Sequence, residues 1–149
     1  MEEIKDRCIS RKEYLKRDDS NVGYALHVQN NIKKDDYARF NTGEIVKVTG
    51  IRENQVNKKA IYFGAYDEDW CDSAAVENFS ENIIDLIEVG DYVNGEKVIE
   101  VHPDLGYVFV DKETELGTKT FCDYQIETIL THEQMEENQY VVKRNMETN

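Results

Sequence analysis

Proline occurs once in the 149 residues, at Pro103, and no stretch is rich in serine or glycine. A flexible tether is thereby excluded, so any boundary between modules has to be short and ordered. Cysteine is also sparse. Cys8, Cys71 and Cys122 are odd in number, far apart and without C-x-x-C spacing, which fits reduced thiols rather than a disulfide framework. No run reaches the roughly 18 apolar residues of a membrane span. The start, Met1-Glu2-Glu3-Ile4-Lys5, lacks the basic and apolar regions of a secretory signal, so the expected location is the cytoplasm. Gly43, Gly50 and Gly64 are too widely spaced for a phosphate-cradling loop.

Positive charge is in short supply as well: 18 Lys and Arg stand against 31 Asp and Glu, a net charge of −13. The deficit is uneven. Residues 1–36 carry eight basic and eight acidic side chains, residues 37–79 five and seven, and residues 80–149 five and sixteen. The chain is nevertheless 40% hydrophobic, with nine Tyr, five Phe and one Trp, enough to fill a core. Its length suits one ordinary domain or two very small ones.

The pattern is mostly strand-like. Residues 44–51 and 60–63 read as a hairpin around the polar turn 52–57, with β-branched enrichment and partial alternation. A second set follows: Asp91-Tyr92-Val93, an Asn94-Gly95 turn suited to positive φ, the run 96–101, the turn 102–106, and then 107–111 with aromatics on one face and valines on the other. Helices are expected to be short, at Ser10 to Lys16, for one turn at Glu81 to Ile87, and from Glu133 to about Asn138. Thr131-His132-Glu133-Gln134 has the form of a capping box before the last of these, and Tyr140-Val141-Val142 then resumes an extended pattern.

Gly43-Glu44-Ile45-Val46-Lys47-Val48 with Ile61-Tyr62-Phe63 echoes Gly95-Glu96-Lys97-Val98-Ile99-Glu100-Val101 with Tyr107-Val108-Phe109. Two hairpins can look alike for no deeper reason. The alternative is a tandem pair of small, strongly bent barrels. The expected fold is mostly β with short helices (β or α+β), either tandem small barrels or one bent antiparallel meander. Its parts are a mixed-charge segment with a short helix (1–36), a small β-module (37–79) and an acidic small β-barrel module with a short C-terminal helix (80–149).

The run 81–95, Glu81-Asn82-Ile83-Ile84-Asp85-Leu86-Ile87-Glu88-Val89-Gly90-Asp91-Tyr92-Val93-Asn94-Gly95, resembles a core seen in uncharacterised accessory proteins of phages and prophages of low-GC Gram-positive bacteria. The tail 126–136, with its Thr131-His132-Glu133-Gln134, and Tyr140-Val141-Val142 extend the resemblance over about 80–142. Residues 1–36 depart from it. The resemblance implies a phage setting and a Src-homology-3-like barrel, and it brings no activity and no catalytic residues.

The residues themselves offer little chemistry. Cys71, Cys122, His27, His102 and His132 are scattered singly, where a metal centre needs converging ligands. No local signature marks a nucleophile. The expectation is a chain that is not an enzyme and needs no metal or cofactor. Tyr66-Asp67-Glu68-Asp69-Trp70-Cys71-Asp72 stands out, with four carboxylates around the only tryptophan. It is either a solvated acidic turn whose Trp70 folds back into the core or a recognition surface built on an aromatic anchor.

Asp67, Glu68, Asp69, Trp70 and Asp72, together with Glu113 and Glu115 from the acidic half, are the candidate partner-binding residues. The remaining acids after residue 80, among them Glu88, Asp91 and Glu133, read as one solvent face that repels phosphate and attracts basic surfaces. The expected partner is a basic host protein, such as a nucleic-acid-binding defence nuclease, blocked by DNA mimicry or sterically in an anti-CRISPR-like manner. No direct nucleic acid is expected for the acidic half, and no membrane. Two other classes stay open: an oligomeric sponge for a nucleotide immune signal, drawing on Arg7, Arg11, Tyr37, Arg39 and Lys47, and a structural or replication accessory protein.

Overall fold

The computed structural model describes residues 8–17, 20–53, 59–64 and 69–138. Two short helices come first, α1 (Arg11–Arg17) and α2 (Asn21–Asn31). The Ser20 hydroxyl caps α2 by accepting from the Gly23 amide at 2.9 Å. Five strands follow: β1 (Tyr37–Phe40), β2 (Ile45–Glu53), β3 (Lys59–Phe63), β4 (Asp69–Asp72) and β5 (Val76–Ser80). They form an antiparallel sheet in the order β4-β3-β2-β1-β5, with a 3₁₀ turn at Ser73–Ala75 before the last strand.

A 3₁₀ turn at Ile83–Leu86 leads into β6 (Tyr92–Val93), β7 (Glu96–His102), β8 (Tyr107–Thr114), β9 (Gly117–Cys122) and β10 (Ile129–Leu130). These form a second antiparallel sheet in the order β10-β6-β7-β8-β9, again with a 3₁₀ turn, at Asp123–Gln125, before the last strand. The helix α3 (His132–Asn138) follows. The echo between the two halves is therefore a repeat of topology: each sheet places its first strand between its second and its fifth.

The second strand bends in both sheets. In β2, residues up to Lys47 pair with β1 and residues from Val48 pair with β3, across a register break between Val48 and Gly50. In β7 the first residues pair with β6 and the rest with β8, across a break between Val98 and Glu100. Such breaks let a short strand serve both halves of a curled sheet. The single-meander alternative gives way to two sheets. The sheets bend as the expected barrels would but do not close among the described residues, where β4 and β5 are the edges of one sheet and β9 and β10 those of the other.

Each sheet fills its own core. Ala38, Phe40, Val48, Ile61, Phe63, Val76 and Phe79 pack with Ile9 and with Tyr24 and Val28 of α2. The Tyr24 ring is fully buried, and its hydroxyl donates to the Ile9 carbonyl at 2.7 Å. Burial pushes that hydroxyl's pKa well up, so it serves as a neutral donor. Val93, Val98, Val108, Val110 and Phe121 pack with Ile84 and Ile87 to fill the second core.

The Asn94-Gly95 turn adopts positive φ at both residues, 52° and 85°, as a type I′ hairpin requires. Thr131 and Gln134 form the expected reciprocal box: the Gln134 amide donates to Thr131 Oγ1 at 3.3 Å and the Thr131 amide to Gln134 Oε1 at 3.1 Å. Tyr140-Val141-Val142 and the turn 54–57 lie outside the described residues. Among the described residues, no helix is long and apolar enough to cross a membrane.

Candidate protein-interaction surface

The strand β4 is an edge of the first sheet, and Trp70 lies on its outer face. Alternation explains the placement. Cys71 faces Ile61 and packs against the core, so its neighbour Trp70 faces the other way, opposite Tyr62. Trp70 is 56% exposed. The Arg52 guanidinium lies over the Tyr62 ring, 4.6 Å from its centroid, so a cation, a phenol and an indole follow one another across β2, β3 and β4. Trp70 thus does not fold back into the core, and the solvated-turn alternative is replaced by an exposed aromatic row.

The other candidate residues divide. Asp67 and Glu68 lie outside the described residues. Asp69 is exposed opposite Phe63 at the start of β4. Asp72 is partly turned inward as a cap, its carboxylate accepting from the Ala74 amide at 3.2 Å. Glu113 and Glu115 belong to the β8–β9 hairpin of the second sheet, both exposed, and Glu113 accepts from the Thr118 hydroxyl at 3.0 Å. Asp69, Trp70 and Asp72 form one short stretch, whereas Glu113 and Glu115 sit on the other sheet.

The acidic field after residue 80 is not one solvent face. Arg39, from the middle of β1, is fully buried and draws three of those acids to it. Its guanidinium donates to both oxygens of Asp91, at 2.6 and 3.0 Å, and to the Leu86 carbonyl at 2.8 Å. Asp91 is itself fully buried and also accepts from the Glu88 and His132 amides. Glu133 of α3 pairs with the same guanidinium at 2.5 Å and Glu88 at 3.6 Å. Burial opposes the Arg39 charge, but these carboxylates outweigh it and raise the pKa further.

This node joins β1 to the start of the second sheet and to α3. In sequence its only hint is an arginine between Ala38 and Phe40, in a strand whose neighbours both point to apolar packing. Gly43 meets α3 at the same place. With φ of +91°, a Cβ added there would come 2.3 Å from Thr131 Oγ1 and 2.8 Å from Glu133 Cβ.

Glu88, His132 and Glu133 bring ligand atoms within 4.8 Å of one another, a spacing a divalent cation could use. The buried Arg39 already supplies positive charge there, and His132 Nε2 lies 2.9 Å from Glu88 Oε1, so ion pairing accounts for the cluster. Burial lowers the His132 pKa, but the Glu88 hydrogen bond and the nearby Glu133 and Asp91 carboxylates raise it more, and the net shift is upward. Burial, with Glu44 and Asp72 nearby, pushes the Cys71 thiol up, away from the thiolate a nucleophile needs. Cys71 on β4 and Cys122 on β9 belong to different sheets.

Between the sheets runs an open groove of about 380 Å³, lined by Ile45, Ile83, Ile126 and Ile129 with Glu44 and Glu127. Carboxylates without a cation in such a lining disfavour a phosphate. Arg11, from the expected nucleotide-binding set, donates to the Ala74 and Val76 carbonyls and pairs with Glu77, and Lys47 lies over the Tyr37 ring. No family model, curated protein or solved structure matches the chain.

Proposed function

We propose that this chain is a phage-encoded protein-interaction module that binds a basic host-defence protein through the outer face of β4 and blocks its nucleic-acid channel. The carrying observation is the exposure of Trp70, 56%, on an edge strand between Asp69 and Asp72 in a chain of net charge −13. A large, pre-positioned aromatic at the centre of a polar rim is the composition of an interface anchor. The surrounding negative field speeds encounter with a positively charged surface and disfavours nucleic acid as a direct ligand.

The nucleotide-sponge alternative needs free cations around a pocket, and Arg39 and Arg11 are engaged with protein carboxylates and carbonyls. The protein-binding reading is therefore preferred. Its test is the affinity for a purified CRISPR effector nuclease, with DNA cleavage as a second readout, from low salt to several hundred millimolar. Binding should weaken steeply with salt, and Trp70→Ala should weaken it by roughly tenfold or more, as loss of an anchor does. Salt-independent affinity, or full inhibition by Trp70→Ala, refutes the proposal.

A further inference from the structure

The outer face of the second sheet carries three rings that its core does not use. Tyr107 and Phe109 alternate along β8 with the fully buried Val108 and Val110, so both point away from the core. Their rings stack with centroids 5.4 Å apart and an interplanar angle of 19°. His102, directly opposite Tyr107 on β7, completes a triangle at 5.2 and 5.5 Å. All three are only partly covered.

A carboxylate stands at the edge of this platform. Glu100 is paired with Phe109 across the strands, its side chain is 57% exposed, and its Oε1 lies 2.5 Å from His102 Nε2. Lys112 and Lys119 of the same sheet are drawn elsewhere, to Glu96, at 3.5 and 3.8 Å.

Stacked rings on a sheet can receive nucleobases when a basic groove tracks the backbone. Here the segment 80–149 has five basic and sixteen acidic residues, so phosphate is repelled. Ring faces attract cations, and a planar guanidinium can stack on a ring while pairing with a carboxylate at its edge. A compact ammonium matches only the charge.

We propose that Tyr107, Phe109 and Glu100 form a docking site for an arginine side chain of a basic partner protein, its guanidinium over the rings and its N–H groups on Glu100. The site rests on the reading that the partner is a basic protein, but it uses a different sheet from Trp70.

The test titrates the full chain with a peptide of alternating arginine and glycine and with its lysine counterpart, by calorimetry at fixed ionic strength. The arginine peptide should bind about fivefold more tightly. Tyr107→Leu/Phe109→Leu should remove that preference while thermal unfolding shows the fold retained. Glu100→Gln, an exposed change that leaves the rings in place, should weaken arginine binding in the same sense and decides the matter if the double variant does not fold. Equal affinity for the two peptides, or a preference that survives ring removal, overturns the site in favour of a diffuse acidic field. Peptide binding with no recognition of the defence nuclease would overturn the nuclease reading while upholding the platform.

Discussion

At the scale of single residues, Arg39 and Asp91 depend on one another because both are withdrawn from water. Replacing Arg39 by Met leaves Asp91 buried without its counter-charge, and unfolding free energy should fall by about 3–5 kcal/mol in a denaturant titration. Arg39→Met/Asp91→Leu should recover part of that loss, since an apolar pair removes the uncompensated charge instead of stranding it.

His132 belongs to the same node, and its folded pKa is raised above its unfolded value. Its stabilisation is therefore present in full below the unfolded value of about 6.5 and is lost as pH rises through the folded value. Wild type and His132→Gln should accordingly differ most in melting temperature near pH 6, and the gap should close toward alkaline pH. A gap that widened with pH would contradict this ion pairing.

At the scale of elements, legibility tracked how much of the signal is local. Asn94-Gly95 and Thr131-His132-Glu133-Gln134 were readable because the turn and the cap are each specified within four residues, by tolerance of positive φ and by a reciprocal hydrogen bond. The helix α2 was not. Only Tyr24 and Val28 are buried in it while Val22 and Leu26 are largely exposed, so its apolar residues mark no single face. The edge strands β5 and β10 are short and find their partners, β1 and β6, far along the chain, which no local pattern encodes.

The repeat offers a matched comparison. Gly43 and Gly95 precede the second strand of their respective sheets, both at positive φ. A methyl at Gly95 meets nothing within 4 Å, so Gly95→Ala should cost about 1 kcal/mol from backbone strain alone. Gly43→Ala carries the same strain and also collides with Thr131 and Glu133, so it should be clearly the more destabilising in parallel thermal melts.

For the whole molecule, composition announced the excess of negative charge but not its division. Sixteen acids after residue 80 looked equivalent in sequence, yet Asp91, Glu88 and Glu133 are gathered around one arginine supplied by the other sheet. That selection depends on where β1 and α3 come together, which spacing along the chain does not reveal. The candidate site was legible in its residue types, an indole among carboxylates, and the sequence left its exposure open because only strand alternation against Cys71 decides which way Trp70 points. Net charge of −13 also strains the isolated fold by self-repulsion. Moderate sodium chloride should raise its melting temperature by screening, even as it weakens association with a basic partner.

The one tryptophan is half in water while folded and sits where contact is proposed. Its emission should therefore resemble that of the unfolded chain and report denaturation poorly, yet shift to shorter wavelength when a partner dries the indole. The protein thus carries an intrinsic optical probe of docking that needs no label.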